Sequence, residues 1–518
     1  MVSRCFWSSV SAASLGALAI FSPPPCLAED DEGFASLFDG ESLSGWSGDP
    51  SLWRVEEGTI VGETKAEAPI ERNHFLTWSD GELDDFELKV EFKIDSGNSG
   101  IQVRSFALDE PHAVGGYQAD IDADNKWSGT CYGEKFRGIL AKRGQRVVLG
   151  NDGKPKEVED IGDPDELAEF SKPGEWNEYR IVGRGFVIEQ FINGRKMSEV
   201  VDQDEDTRRR AGLLAFQVHK GPPMKVAFRN IRLKRLPLED VAKIVFVAGK
   251  PSHAPGHHEH NAGSLLLADL LNEHHGDKVL ATVYRNGWPS DPAAFHNADA
   301  VVVFADGGQR HPAFFHLQTL EDLRRRGIGF GAIHYAVEMV PGETNDALIE
   351  SIGGAFEVDY SVNPHWTAEF DDFPDHPVAR GLEPFEIEDE WYFNMRFTSE
   401  EGGLTPILSA VPPEQTMSRP DGHHSGNPIV REMVAQKLPQ HLCWVYESES
   451  GTRGFGFTGG HFHDNWANDP FRKTVLNATC WIAGVEIPSA GIPTPTPSED
   501  DLAANLDPKP ERKAKNKK

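Results

Sequence analysis

From residue 34 to about 236, apolar side chains recur at every second position. Phe86, Leu88, Val90 and Phe92 alternate with Glu87, Lys89, Glu91 and Lys93, so a strand through them turns one face to a core and the other to water. That alternation belongs to antiparallel sheets. The run 186–192 ends at Asn193-Gly194, two residues that both accept positive φ, and a two-residue hairpin is predicted there. Further strands are predicted over 100–106, 116–121, 176–182, 212–218 and 226–233. Many short strands separated by Gly, Asp and Asn turns predict an all-β jelly-roll sandwich over 33–236.

Beyond a linker at 237–242 the texture changes. Continuous apolar runs at 243–248, 279–284, 298–305 and 328–334 read as strands buried on both faces of a parallel sheet. Helices are predicted between them, over 262–273, where Leu265, Leu266, Leu267 and Leu270 supply the apolar content, and over 314–326. Strand and helix in alternation predict a doubly wound, flavodoxin-like α/β domain over 243–488. The tail 489–518, with Thr-Pro repeats and a basic end, has little apolar area to bury and reads as disordered.

Length agrees with two domains, because 518 residues exceed what one core supports. The formal charge of −31, from 82 acidic and 51 basic residues, repels nucleic acid and anionic membranes, so neither is an expected partner. Residues 1–28 carry Arg4, an apolar run at 10–21 and small residues approaching Ala28, the layout of a signal peptide. The run is shorter than the roughly 20 residues of a membrane span, so export to the periplasm or beyond is expected. Removal of that segment leaves Cys131, Cys443 and Cys480, an odd number without a Cys-x-x-Cys, which implies no disulfide framework. Neither domain carries nicotinamide-fingerprint glycines, and no nicotinamide, flavin or nucleotide cofactor is expected.

Several short strings in the first domain fall in a recognisable order. They are Leu37-Phe38-Asp39-Gly40 through Gly45-Trp46, Asn98-Ser99-Gly100-Ile101 through Arg104, Gly116-Tyr117, Gly174-Glu175-Trp176-Asn177, Asn193-Gly194 and Phe228-Arg229-Asn230-Ile231. In that order they resemble the 3-keto-disaccharide hydrolase domain family. The resemblance implies a concanavalin-like or laminin-G-like jelly roll and action on glycosides whose C3 hydroxyl has been oxidised to a ketone. A separate sugar 3-oxidoreductase is then implied as a pathway partner. A C3 ketone acidifies the C2 hydrogen and makes the C1 glycosidic oxygen a β-leaving group, so elimination followed by rehydration cleaves the bond. That route needs a base, an acid and an enolate stabiliser. Asp120 and Asp122 are the candidate bases, Arg104 and His219 the oxyanion partners, and Tyr132 the acid or orienting group. Gln118, Asp120 and Asp122 share one strand face, and Gln118 is a candidate sugar contact. Family members often have Glu-x-Gln after Gly-Tyr, where this chain has Gln118-Ala119-Asp120. The alternative is that Arg104 and the two Asp residues form structural hydrogen bonds, or a calcium site, in a carbohydrate-binding module.

The second domain resembles the ThuA-like family of the class I glutamine amidotransferase-like group. The resemblance rests on the run 243–248, on Gly327-Ile328-Gly329-Phe330-Gly331-Ala332-Ile333-His334, on Asp389-Glu390-Trp391-Tyr392 and on the glycine-rich 454–460 before His461. His334 stands where a glutaminase carries its cysteine, so thioester chemistry is not expected. Ligands bind open α/β sheets outside the carboxyl ends of the strands. That edge receives His253, His257, His258 and His260, then Asp306, His334, His461 and His463. Imidazoles gathered from separate strand ends suit a divalent metal, zinc above others. The expected ligands are His258, His260, His334 and His461, with Glu390 or Asp306 as carboxylate; solvated loop histidines and a capping His334 are the alternative. His365, Trp366 and Trp391 are candidate sugar-stacking residues.

The leading expectation is therefore an exported hydrolase or lyase for 3-keto-glycosides. A carbohydrate-binding sandwich attached to a metal-dependent sugar-processing domain, and a non-catalytic surface protein, are the competing readings.

Overall fold

The computed structural model describes residues 33–398 and 403–509; the expected signal peptide and residues 510–518 lie outside them. Strand Phe86–Ser96 shows how the first domain forms. Its residues alternate between buried and half-exposed along most of its length, and it pairs antiparallel with Asn177–Arg184 on one side and Lys225–Arg235 on the other. It lies inside a ten-stranded sheet, which packs on a seven-stranded one. Phe216 of the second sheet stacks on Phe228 of the first with ring centroids 4.1 Å apart, joining the layers across the core. Asn193 and Gly194 take φ of 47° and 77° and close the hairpin between Val187–Ile192 and Arg195–Asp202, as a turn of that type requires.

In the second domain the strand order is Val279–Tyr284, Ala242–Ala248, Ala300–Phe304, Gly329–Ile333, Arg453–Phe457, Gln440–Glu447, Leu404–Ala410. The first five run parallel, and each of the last two pairs antiparallel with the strand before it. Ile244 and Phe246 join a core with Leu266, Leu267 and Leu271, whereas Val245 and Val247 join one with Leu320, Leu323 and Leu348. Helices therefore cover both faces, which is why these strands are apolar throughout. The two helices predicted from sequence are His260–His275 and Leu317–Arg325, with Glu343–Ile352 and Asp469–Ile482 among the others; residues 312–315 make a separate 3-10 turn instead of lengthening the second predicted helix.

The tail departs from the sequence reading. Ile492 is fully buried, Ser498 caps helix Glu499–Ala503, and Lys509 makes an ion pair with Glu259 at 3.0 Å, both side chains almost wholly buried. Composition undercounted the tail because its order comes from a few specific anchors. Asn477 Oδ1 accepts the Ile492 N–H and the Arg472 guanidinium donates to the Pro495 carbonyl.

The two domains meet through buried charge. Arg235, at the end of the last sandwich strand, reaches Asp84 at 3.1 Å and Asp291 at 2.6 Å. Lys243, on the first strand of the second domain, reaches the other Asp84 oxygen at 2.8 Å, and Asn297 donates to Asp84 as well. Burial alone would raise the Asp84 carboxyl, but Lys243 and Arg235 overcome it and hold the pKa at about 2. Asp84→Ala strands two cations away from water, and a loss of about 3–5 kcal/mol is expected, measured as a fall in melting temperature near pH 7. The group is depressed, so its stabilisation is present above the ordinary 3.8 and disappears as pH falls through about 2; the difference between variant and wild type should shrink over that window.

Candidate functional site

The outer face of the seven-stranded sheet carries a 610 Å³ cavity lined by residues of the sandwich alone, including Asn73, Gln118, Asp120, Asp122, Trp127, Tyr132, Glu134 and His219. Strand Val114–Asp122 supplies its floor. Tyr117, Ala119 and Ile121 enter the core, so Gln118 and Asp120 turn outward. A relay of donated hydrogen bonds ends on Asp120. Ser105 Oγ donates to Gln102 Oε1 at 2.6 Å, Gln102 Nε2 to Gln118 Oε1 at 2.6 Å, and Gln118 Nε2 to Asp120 Oδ1 at 2.7 Å. One N–H of the Gln118 amide thus orients Asp120, and Gln118 also lines the cavity. Burial, with Glu134 and Asp122 nearby, pushes the Asp120 carboxyl up to about 7, against the pull of Gln118. Burial likewise raises the half-buried Tyr132 phenol.

Other expected residues fall elsewhere. Asp122 touches the cavity, but its Oδ2 accepts the N–H groups of Lys126 and Trp127 and so closes a turn. Arg104 leaves the site altogether. The pairing register shifts between Val103 and Phe106, Arg104 takes φ of 48°, and its side chain swings to the inner side, where it is fully buried. There it donates to the Asp84 carbonyl at 2.7 Å, the Gly185 carbonyl at 2.6 Å and Asp85 at 2.8 Å. A bulge inverts the side-chain parity, which strict alternation does not anticipate. Glu134, absent from the sequence reading, lies at the end of the four-residue strand Cys131–Glu134, too short for a pattern; its Oε1 accepts from Asn73 at 3.1 Å.

The second domain gathers imidazoles at the carboxyl edge of its sheet. His334 follows strand Gly329–Ile333 at φ 58°, a strained elbow for a non-glycine residue, and its Nε2 lies 3.0 Å from His258 Nε2. His258 Nε2 lies 3.0 Å from His461 Nδ1. Glu390 Oε2 stands 3.1 Å from His461 Nδ1 and 3.6 Å from His334 Nε2. Buried Asp389 accepts the Gly460 and His461 N–H groups, which fixes the loop that carries His461. Burial lowers the pKa of all three imidazoles and raises that of Glu390.

His260 is not part of this group: its Nδ1 meets the Lys250 carbonyl at 3.2 Å. It opens helix His260–His275, two residues beyond His258, and the turn into the helix sends the two rings different ways. Trp391 is fully buried against Phe457 and Phe471, and Trp366 is almost so, its indole N–H donated to the Trp391 carbonyl. Trp391 belongs to the core, whereas Trp366, packed on the inward face of the hairpin Trp366–Phe370 with Phe385–Asp389, keeps an edge on the cleft beside His365. Half-exposed His365 stands at the rim, 3.8 Å from Glu390, above a 660 Å³ cleft that also includes Asn363, Gln415 and Arg419. Tyr392, in the string Asp389-Glu390-Trp391-Tyr392, brings its hydroxyl to 3.3 Å from His334 Nε2; Arg419 was missed because nothing local in the sequence distinguishes it.

Residues 33–234 match the 3-keto-alpha-glucoside-1,2-lyase-like domain family, and residues 244–482 match the ThuA family, described as trehalose utilisation. The chain is a fusion of these two domain families. Among solved structures, the lyase-like domain is similar to a Parabacteroides distasonis protein provisionally called a glycosyl hydrolase (22% identity, 41% of this chain and 98% of that one, TM-score 0.27). It is also similar to a carbohydrate-binding module of Bacillus subtilis (14%, 37% and 95%, 0.25). The ThuA domain is similar to a ThuA-like protein of Parabacteroides merdae (15%, 51% and 99%, 0.34). No curated protein matches the chain. No helix among the described residues is long and apolar enough to cross a membrane.

The Asp120 carboxyl gives the lyase-like domain a measurable signature. A carboxyl raised from 3.8 to about 7 costs the folded state stability as pH rises through that interval, about 4 kcal/mol at most. Asp120→Asn keeps the Gln118 hydrogen bond without the charge. Its melting temperature should equal that of wild type near pH 3, exceed it increasingly toward pH 7, and hold a constant excess above that.

Proposed function

We propose that the lyase-like domain cleaves the glycosidic bond of 3-keto-glycosides by elimination, with Asp120 as the base. The observation that carries this is a carboxyl poised at about 7 on the floor of a sugar-sized cavity, since a base is most effective when its pKa lies near the working pH. The family match over residues 33–234 supports the substrate class. Asp120 takes the C2 proton, the C1–C2 double bond forms and the C1–O bond breaks. Tyr132, at the cavity wall, returns a proton to the leaving oxygen. Water added across the double bond then gives the reducing 3-keto sugar. With Arg104 withdrawn from the site, the enolate oxygen falls to His219 and Lys220, which also line the cavity. The ketone must be made beforehand by a separate sugar 3-oxidoreductase, and a signal peptide at 1–28 would place the cleavage outside the cytoplasm.

Wild type is expected to turn over 3-keto-trehalose and leave trehalose untouched, with kcat/KM rising with pH through about 7 as Asp120 ionises. Asp120→Asn should lose at least about 100-fold in kcat while still binding the keto-sugar. A wild-type protein that binds either sugar without turnover would instead establish a binding module.

A further inference from the structure

The ThuA domain holds a second arrangement, independent of the sandwich reading. The second partner of two imidazoles fixes where their protons lie. His258 Nδ1 is 2.9 Å from a carboxylate oxygen of Asp306, which only accepts, so Nδ1 carries the proton and Nε2 the lone pair. His334 Nδ1 is 2.9 Å from the Thr458 carbonyl, and the same reasoning leaves its Nε2 unprotonated. Those two lone pairs face each other at 3.0 Å. His461 Nδ1 and Glu390 Oε2 complete the group, and the four ligand atoms all lie within 4.8 Å of one another. Two opposed lone pairs repel, and a cation seated between them would remove that repulsion.

We propose that His258, His334, His461 and Glu390 bind one divalent transition-metal ion of the zinc class. Bonds of 2.0–2.1 Å in a tetrahedron set the ligand atoms about 3.3 Å apart; four of the six separations here run from 3.0 to 3.6 Å and all six lie within 4.8 Å. The surroundings are those of a metal centre, since each ligating imidazole has a partner on its far nitrogen: Asp306, the Thr458 carbonyl, and His257 Nδ1 for His461 Nε2. Such partners orient ligands and raise their basicity. Lys509 of the C-terminal segment donates to the carbonyls of His257 and His258 and pins the loop from outside. Three of the ligands are buried, and Glu390 is the one that also borders the cleft with His365 and Arg419. Glu390 is therefore the ligand a substrate oxygen would displace. Arg419 Nη1, buried without a partner, would take a second oxygen of that ligand, so the cleft suits a small polyhydroxylated carbonyl compound.

The test uses the full mature chain, stripped with a chelator and titrated calorimetrically with Zn²⁺, with cobalt absorption as a second readout. One equivalent should bind, and Co²⁺ should give the intense d–d bands of four-coordination. His461→Gln should weaken zinc at least about 100-fold, and Asp306→Asn by about 10–100-fold. His260→Gln, whose ring faces the Lys250 carbonyl, should still bind one equivalent. His334→Ala is avoided because it also removes the hydrogen bond to the Thr458 carbonyl, and unchanged melting of the His461 and Asp306 variants in chelator controls for folding. Absence of stoichiometric zinc in wild type, or equal affinity in His461→Gln, would overturn the proposal while leaving elimination at Asp120 untouched.

Discussion

Asp84 is the residue on which the two-domain arrangement turns. It is a fully buried carboxylate with Arg235 on one side and Lys243 on the other, one cation from the end of the sandwich and one from the start of the α/β sheet. Neither cation could stay buried without an acid between them, because an unpaired charge out of water costs several kcal/mol. Asp291 takes the second face of Arg235, so two acids and two bases balance. Its neighbour Asp85 faces the other way. It receives Arg104 at 2.8 Å and the Gly185 N–H at about 3 Å, tying the two sheets of the sandwich together beneath the same loop. Two consecutive aspartates thus anchor the inside of one domain and its contact with the next. The demand they make on nearby cations is what removes Arg104 from chemistry.

The same physics read without counter-charge produces the candidate base. Asp84 and Asp120 are both buried aspartates. The first is held near 2 by two cations, whereas the second has only an amide donor and two further acids for neighbours and rises to about 7. Burial is common to both, so the difference in role comes from the sign of the nearest charge. A strongly acidic chain supplies acids freely, and the informative choice is where its buried cations go. Among the described residues, Arg235, Lys243 and Arg104 all serve the Asp84–Asp85 loop.

Period-two alternation in 86–93 and unbroken apolar runs such as 243–248 made the two fold classes legible, because each pattern reports how many faces of a strand are covered. The hairpin at Asn193-Gly194 was legible for a local reason, positive φ. Features set by one-residue events were not. The bulge after Val103 reverses the side of Arg104 without altering residue type. His258 and His260 differ only in that one precedes the helix and the other begins it. Glu134 and Arg419 matter through neighbours distant in sequence, and the tail is held by single anchors that composition averages away. Sequence reading found the edge where the imidazoles meet, since topology determines that, but not which ring nitrogens face inward.

The two sites share no residue. The cavity around Asp120 is lined wholly from 72–220, and the imidazole cluster wholly from 258–461. The charged junction therefore completes neither site and acts only by fixing one domain on the other. A product leaving the first site would travel to the second through solvent, with covalent fusion keeping the local concentration of the partner site high. Each proposed function therefore rests on residues of its own domain. What the domains have in common is a requirement for buried, oriented polar groups. The glutamine relay to Asp120 and the Asp306 and Thr458 contacts to the imidazoles meet it by the same device, a hydrogen bond on the far side of each group that fixes which atom it turns toward the cavity or the cluster.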